Sequence, residues 1–154
     1  MAPRAHERTV TQLLAVFAAS SRTLTADDVR GIAEDAWYGE ADLAFGAGSG
    51  GSVLLTVHLP GGGRPVVVTI EADPAVVTVM VAEQLEEHDA TPPDVARRLR
   101  ATRQVVSFEV DLGPVDDDAW GLVDVVQAWL ARELDGLVVT DDGIYDVDLR
   151  RLAD

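Results

Sequence analysis

The sequence predicts a single α+β domain: a mostly antiparallel β-sheet with two or three helices packed on one face and a β-hairpin near the C-terminal end. Three observations lead there. Two runs of alternating apolar residues flank a glycine-rich turn, the pattern of a hairpin. Three helix entries are marked by cap residues or prolines. Strand-like and helix-like segments follow one another closely, with no internal repeat and no linker long enough to divide 154 residues. Apolar residues make up 47% of the chain and charged residues 25%, the composition of a folded globule.

The elements follow in order. Residues 1–8 read as a flexible tail and 9–154 as the domain. Gln12 to Ala18 is apolar on both faces, as a central strand is. Arg4 and Arg8 ahead of Val10–Ala19 also imitate a secretory signal, but Thr11 and Gln12 interrupt the run and a buried strand explains it equally well. No apolar run approaches the ~20 residues of a membrane span, and the chain reads as cytoplasmic. Thr25 is an N-cap, with Asp27 and Asp28 in a first turn where the helix dipole favours anions. Val29, Ile32, Ala33, Ala36 and Trp37 follow at helical spacing, up to Gly39. Ala41 to Phe45 fits a short strand before the loop Gly46–Gly51.

Val53, Leu55, Val57 and Leu59 then alternate with Leu54, Thr56 and His58; beyond Pro60-Gly61-Gly62-Gly63-Arg64, Val66, Val68 and Ile70 alternate with Val67, Thr69 and Glu71. The next stretch points both ways. Asp73-Pro74 can open a helix, but five β-branched residues in the six from Val76 to Val81 favour a strand, which is the expectation adopted. Thr91-Pro92-Pro93-Asp94 is a further helix entry. Val106, Phe108 and Val110 alternate with Ser107, Glu109 and Asp111, a half-buried strand. Pro114 and Asp116-Asp117-Asp118 open the longest helix, whose apolar stripe is Ala119, Leu122, Val123, Val126, Trp129, Leu130 and Leu134. Leu137–Thr140, Asp141-Asp142-Gly143 and Ile144–Val147 form the terminal hairpin.

Charge excludes more than any motif does. Twenty-seven carboxylates face twelve arginines, and lysine, asparagine and cysteine are absent. A net charge of −15 opposes nucleic-acid and anionic-membrane binding, which need a basic footprint. Without lysine there is no Schiff base and no P-loop cation; without cysteine there is no thiol nucleophile, disulfide or thiolate metal site. The surplus is uneven: residues 1–72 sum to −3, 73–112 to −4 and 113–154 to −8. An acidic face of this kind steers a basic partner. GC-rich coding, which depletes lysine and asparagine together, produces the same composition without any partner.

Several motifs tempt and fail. Gly46-x-Gly48-x-x-Gly51 has dinucleotide-binding spacing, but that fingerprint needs a helix at its last glycine, and Ser52–Leu59 alternates like a strand. Gln84-Leu85-Glu86-Glu87-His88 matches an inverted zinc-protease motif with glutamine in place of the first ligand. His6 and His58 have no acidic neighbour at ligand spacing. Asp141, Asp142, Asp146 and Asp148 around Gly143 depart from the EF-hand pattern. Glu109 and Asp111 share a strand face, where carboxylates are more often solvated surface than acid–base pairs. No catalytic residue, cofactor site or metal site is therefore assigned. Arg97, Arg98, Arg100 and Arg103 form the only basic cluster, expected to pair internally with Glu86, Glu87 or the acidic strand face. Helical spacing puts Trp120 near Asp116, Asp124 and Gln127 at the edge of the core stripe, either as an interface anchor or as a cover for the core edge.

From Gln104 onward, the strand Val105–Val110, the long amphipathic helix and the hairpin Leu137–Leu149 resemble the C-terminal half of small polymorphic-toxin immunity proteins of the SitI kind. The resemblance covers the last third of the chain and has no diagnostic motif, so no site residue is transferred. It implies a non-enzymatic protein that neutralises a toxin by binding it. Residues 25–134 also look like secretion-chaperone domains, which are small, acidic and often dimeric. That likeness implies a homodimer holding a protein segment. The reading adopted is an acidic, non-enzymatic binding module for a basic protein partner, with Asp116, Asp117, Trp120, Asp124, Asp141 and Asp142 as the contact residues and no cofactor. An apolar pocket with convergent polar groups would instead speak for a ligand site.

Overall fold

The strand expected at Gln12–Ala18 is β1 (Thr11–Ala18), and it lies inside the sheet, with β5 (Gln104–Asp111) on one side and β6 (Gly136–Thr140) on the other. The computed structural model describes residues 11–22, 24–36, 43–47, 53–59, 65–88, 91–111, 117–140, 143–148 and 150–153. The tail expected at 1–8 and the glycine-rich turn at 60–64 lie outside them. The other strands are β2 (Ala44–Ala47), β3 (Val53–His58), β4 (Val66–Glu71), β7 (Gly143–Tyr145) and β8 (Arg151–Ala153). All adjacent pairs are antiparallel, in the order β2-β3-β4-β5-β1-β6-β7-β8. The α+β class and the largely antiparallel sheet are those the sequence predicts.

Among the described residues there are four helices: α1 (Ala26–Ala36), α2 (Pro74–Glu87), α3 (Pro93–Arg100) and α4 (Asp117–Glu133). They divide between the two faces of the sheet, where one covered face was expected. Strand alternation shows why. On β1, Leu14, Val16 and Ala18 point into a core shared with Val29, Ile32 and Ala33 of α1 and Leu122, Val126 and Leu130 of α4. Ala15 and Phe17 point the other way, into a second core with Val77 and Val81 of α2 and Val95 and Leu99 of α3. The same split occurs on β5, with Val106 and Phe108 in the first core and Val105 in the second.

The segment 76–81 is helical, against the strand expected from its β-branched residues. Asp73 is the N-cap of α2, its carboxylate accepting the Ala75 N–H at 3.0 Å, and Pro74 occupies the first turn. Val77 and Val81, four apart, are the buried positions, while Val76 and Val79 are exposed. A strong start signal and one buried stripe outweigh a β-propensity that spans only about 1 kcal/mol. Other differences are local. Gly46 and Ala47, expected in the loop, belong to β2, with Gly46 opposite Thr56. The terminal hairpin is β6–β7, ends at Tyr145, and continues into β8, which the sequence did not indicate. Asp146, expected on a strand, starts a turn in which its Oδ1 accepts the N–H groups of Asp148 and Arg150, both at 2.9 Å.

Two junctions tie the layers together. At the end of α4, Asp135 adopts a left-handed backbone with φ 51°, and its carbonyl and that of Leu134 accept the N–H groups of Ala19 and Ser20, each at 3.0 Å. Gly136 lies opposite Ala18, where an added Cβ would stand 2.7 Å from Val16 Cγ1 and 3.1 Å from the Phe17 carbonyl. Only glycine fits that approach.

At the start of α1, Thr25 and Asp28 form a reciprocal capping box: the Thr25 N–H donates to Asp28 Oδ2 at 3.0 Å, and the Asp28 N–H donates to Thr25 Oγ1 at 3.1 Å. The bond from the Thr25 backbone holds the Asp28 carboxyl below the ordinary aspartate value. A depressed folded pKa stabilises the protein above the unfolded pKa, and that contribution is lost as pH falls through the folded value. Asp28→Asn is therefore expected to be less stable than the wild type at neutral pH, with the gap closing below the ordinary aspartate range. Urea unfolding across a pH series checks this; a pH-independent gap would contradict it.

Candidate functional site

Two surfaces are built from the residues that sequence reasoning singled out. The first is the acidic one. Asp117 and Trp120 lie in the first turn of α4, placed there by the backbone, and Asp124 lies one turn further on. Asp116, Asp141 and Asp142 fall outside the described residues. Asp124 is exposed beside an exposed Val125, yet neighbouring protein atoms withdraw enough water from its carboxyl to raise its pKa. On the same side of the helix, by register, Gln127 is buried and its Nε2 has no hydrogen-bond partner. Among the described residues Asp124 forms no ion pair. Among the described residues one side-chain ion pair forms, Asp27 with Arg30 at 3.1 Å, one turn apart on α1.

The second surface is basic, and most of it was set aside on sequence grounds. Arg97, Arg98 and Arg100 occupy the last turn of α3, where the dipole favours cations. None of them pairs with Glu86, Glu87, Glu109 or any other carboxylate among the described residues, so the pairing expected with Glu86 and Glu87 is not seen. The strand carrying Glu109 is two elements away from Glu86 and Glu87, and all of these side chains point to solvent.

Instead, Arg100 and Arg103 line the rim of a cleft of about 680 Å³ that opens where β1 and β4 end and β5 begins. Arg22, from the segment after β1, joins them from 78 residues earlier in the chain than Arg100. The floor is apolar: Leu24, Ile70, Pro74, Val77 and Val81. Ser21, Thr78 and Thr102 add hydroxyls, and the Thr102 Oγ1 is buried without a hydrogen-bond partner. Among the described residues no carboxylate lines this cleft. Glu71 and Asp73, which flank the lining residue Ala72, are engaged with backbone, Asp73 capping α2 and Glu71 accepting the Asp73 N–H at 3.1 Å, while Asp28 of the α1 cap interacts electrostatically with Arg22.

Gln104 fixes the geometry. It is buried at the start of β5, and its Nε2 donates to the carbonyls of Ser20 at 2.7 Å and Arg22 at 2.8 Å. The Arg103 N–H donates to the Ala18 carbonyl at 2.8 Å. The segment that carries Arg22 is thus clamped to the strand that follows Arg103. The available signal was the density of arginine between 97 and 103 in an acidic chain; nothing local marked Arg22 as part of the same constellation.

Comparison with protein-family models, with curated proteins and with solved structures gives no match. Among the described residues no three histidine, aspartate or glutamate side chains come together to hold a metal ion. Nor is any helix among them long and apolar enough to cross a membrane.

Replacing Gln104 by leucine leaves the Ser20 and Arg22 carbonyls without their donor. The expected loss of stability is about 1–3 kcal/mol, measured by urea unfolding. Faster hydrogen exchange over residues 19–24 should accompany it. Unchanged stability and exchange would show that the clamp is not what holds this segment.

Proposed function

We propose that the protein is a non-enzymatic binding module whose acidic C-terminal third captures a basic protein, in the manner of an immunity protein neutralising a toxin. The observation that carries this reading is the unneutralised state of its carboxylates. Five of the twelve arginines, Arg22, Arg97, Arg98, Arg100 and Arg103, are gathered at the end of α3 and around the cleft, and only Arg132, Arg150 and Arg151 accompany the eleven carboxylates of residues 113–154. Among the described residues Asp124, Glu133 and Asp148 form no ion pair, and the sequence places −8 of the −15 in residues 113–154. An unpaired anionic surface beside exposed apolar side chains gains on meeting a cationic partner, because the charges do not have to break existing pairs. The raised pKa of Asp124 fits the same reading: burial disfavours its charge, and an approaching cation would oppose that shift.

The described polar groups of the cleft are guanidinium, hydroxyl and carboxamide, which can hold and orient a ligand.

The test is charge reversal. Asp116, Asp117, Asp141 and Asp142 changed together to arginine are expected to weaken capture of the native basic partner by at least about tenfold and to flatten its salt dependence. Pull-down from the native cell followed by affinity measurement at several salt concentrations reads this directly. Equal affinity and equal salt dependence in the reversed variant would defeat the proposal.

A further inference from the structure

The cleft has features that capture of a basic protein does not use. Acids outnumber arginines by more than two to one in this chain, yet among the described residues three arginines and no carboxylate line the cleft. The helix dipole of α3 accounts for a cation at Arg100 but not for Arg22 or Arg103, which come from loops on either side of the cleft. Among the described residues Arg100 and Arg103 have no ion-pair partner, Arg22 shares its field with the Asp28 carboxylate, and an anion seated in the cleft would be attracted by all three.

The rest of the cleft says what kind of anion. Val77, Val81 and Leu24 in its floor are themselves buried, so the floor is a fixed apolar surface, unsuited to a bare hydrated ion. A volume of about 680 Å³ is that of an ordinary small-molecule site. Guanidinium forks match the planar or tetrahedral oxygens of carboxylate and phosphate. An extended polyanion is disfavoured, because beyond the cleft it would meet the field of a chain with net charge −15. A compact anion sits within a screening length of the arginines and feels mainly them.

We infer that this cleft binds a small amphipathic organic anion, its carboxylate or phosphate head held by Arg22, Arg100 and Arg103 and its apolar body resting on Leu24, Ile70, Val77 and Val81. The site is independent of the acidic surface and stands whether or not a basic partner is found.

The experiment is calorimetric titration of the full chain with four probes: octanoate, octyl phosphate, 1-octanol and inorganic phosphate. At least one of the two amphipathic anions is expected to bind saturably, and the tighter of them identifies the head group. Octanol, which lacks the charge, and inorganic phosphate, which lacks the body, are expected to bind at least about tenfold more weakly. Arg100→Gln combined with Arg103→Gln is expected to weaken the anion about tenfold or more, and Arg22→Gln to weaken it as well. All three side chains are exposed, so folding should be untouched. Arg97→Gln with Arg98→Gln, equal in charge change but outside the cleft, should leave affinity as it is. The inference is overturned if octanol binds as tightly as the anions, if the cleft variants bind like the wild type or no better and no worse than the Arg97 and Arg98 variant, or if neither anion binds saturably at millimolar concentration.

Discussion

A strand with apolar side chains on both faces has to be covered twice, and β1 imposes that requirement on the rest of this molecule. Leu14, Val16 and Ala18 on one side and Ala15 and Phe17 on the other are all buried. Leaving either set in water would cost about 1.5–3 kcal/mol for each large side chain. The chain meets the requirement by sending α1 and α4 to one face and α2 and α3 to the other, with β5 and β6 as hydrogen-bonded neighbours of β1. The close approach of Gly136 to Val16 and Phe17 belongs to the same constraint, since β6 must lie tight against a strand whose side chains are already committed to two cores.

Two-sided coverage also decides where the functional surfaces fall. The layers meet at the end of the sheet where β1 leaves it, and the cleft forms there, with Leu24 from one core and Val77 and Val81 from the other in its floor. The Gln104 clamp holds the departing chain, so that Arg22 reaches the same rim as Arg100 and Arg103. The acidic surface on α4 belongs to the opposite layer from α3. The cleft arginines and Asp124 are therefore presented by different layers, although α4 also carries Arg132 in its last turn.

Much of the fold was legible in the chain, and the reasons are local. β1 showed itself by continuous apolarity, the β3–β4 pair and β5 by alternation, α1 by a threonine cap with acids behind it, and α4 by its long apolar stripe. What was not legible depends on contacts far apart in sequence. The valine-rich start of α2 reads as strand until the buried spacing of Val77 and Val81 under a capped helix is known. That spacing matters only because Phe17 and Val105 need cover. β8 is three residues long and carries no pattern of its own. Of the candidate contact residues, Asp124 was placed correctly on an exposed helix surface, whereas the arginines from 97 to 103 were assigned to ion pairs not seen among the described residues. Sequence spacing can show that charges cluster; it cannot show that a loop from residues 20–22 is clamped beside them.

The central claim is that one sheet supports two separately packed layers through adjacent residues of β1. Hydrogen exchange on Phe17→Ala under native conditions tests it most directly. Phe17 faces only the second core, and the loss of its ring, about 3–5 kcal/mol at a buried site, should raise exchange chiefly in α2 and α3 while α1 and α4 keep more of their protection. Faster exchange confined to α1 and α4, or spread evenly over all four helices, would contradict the account.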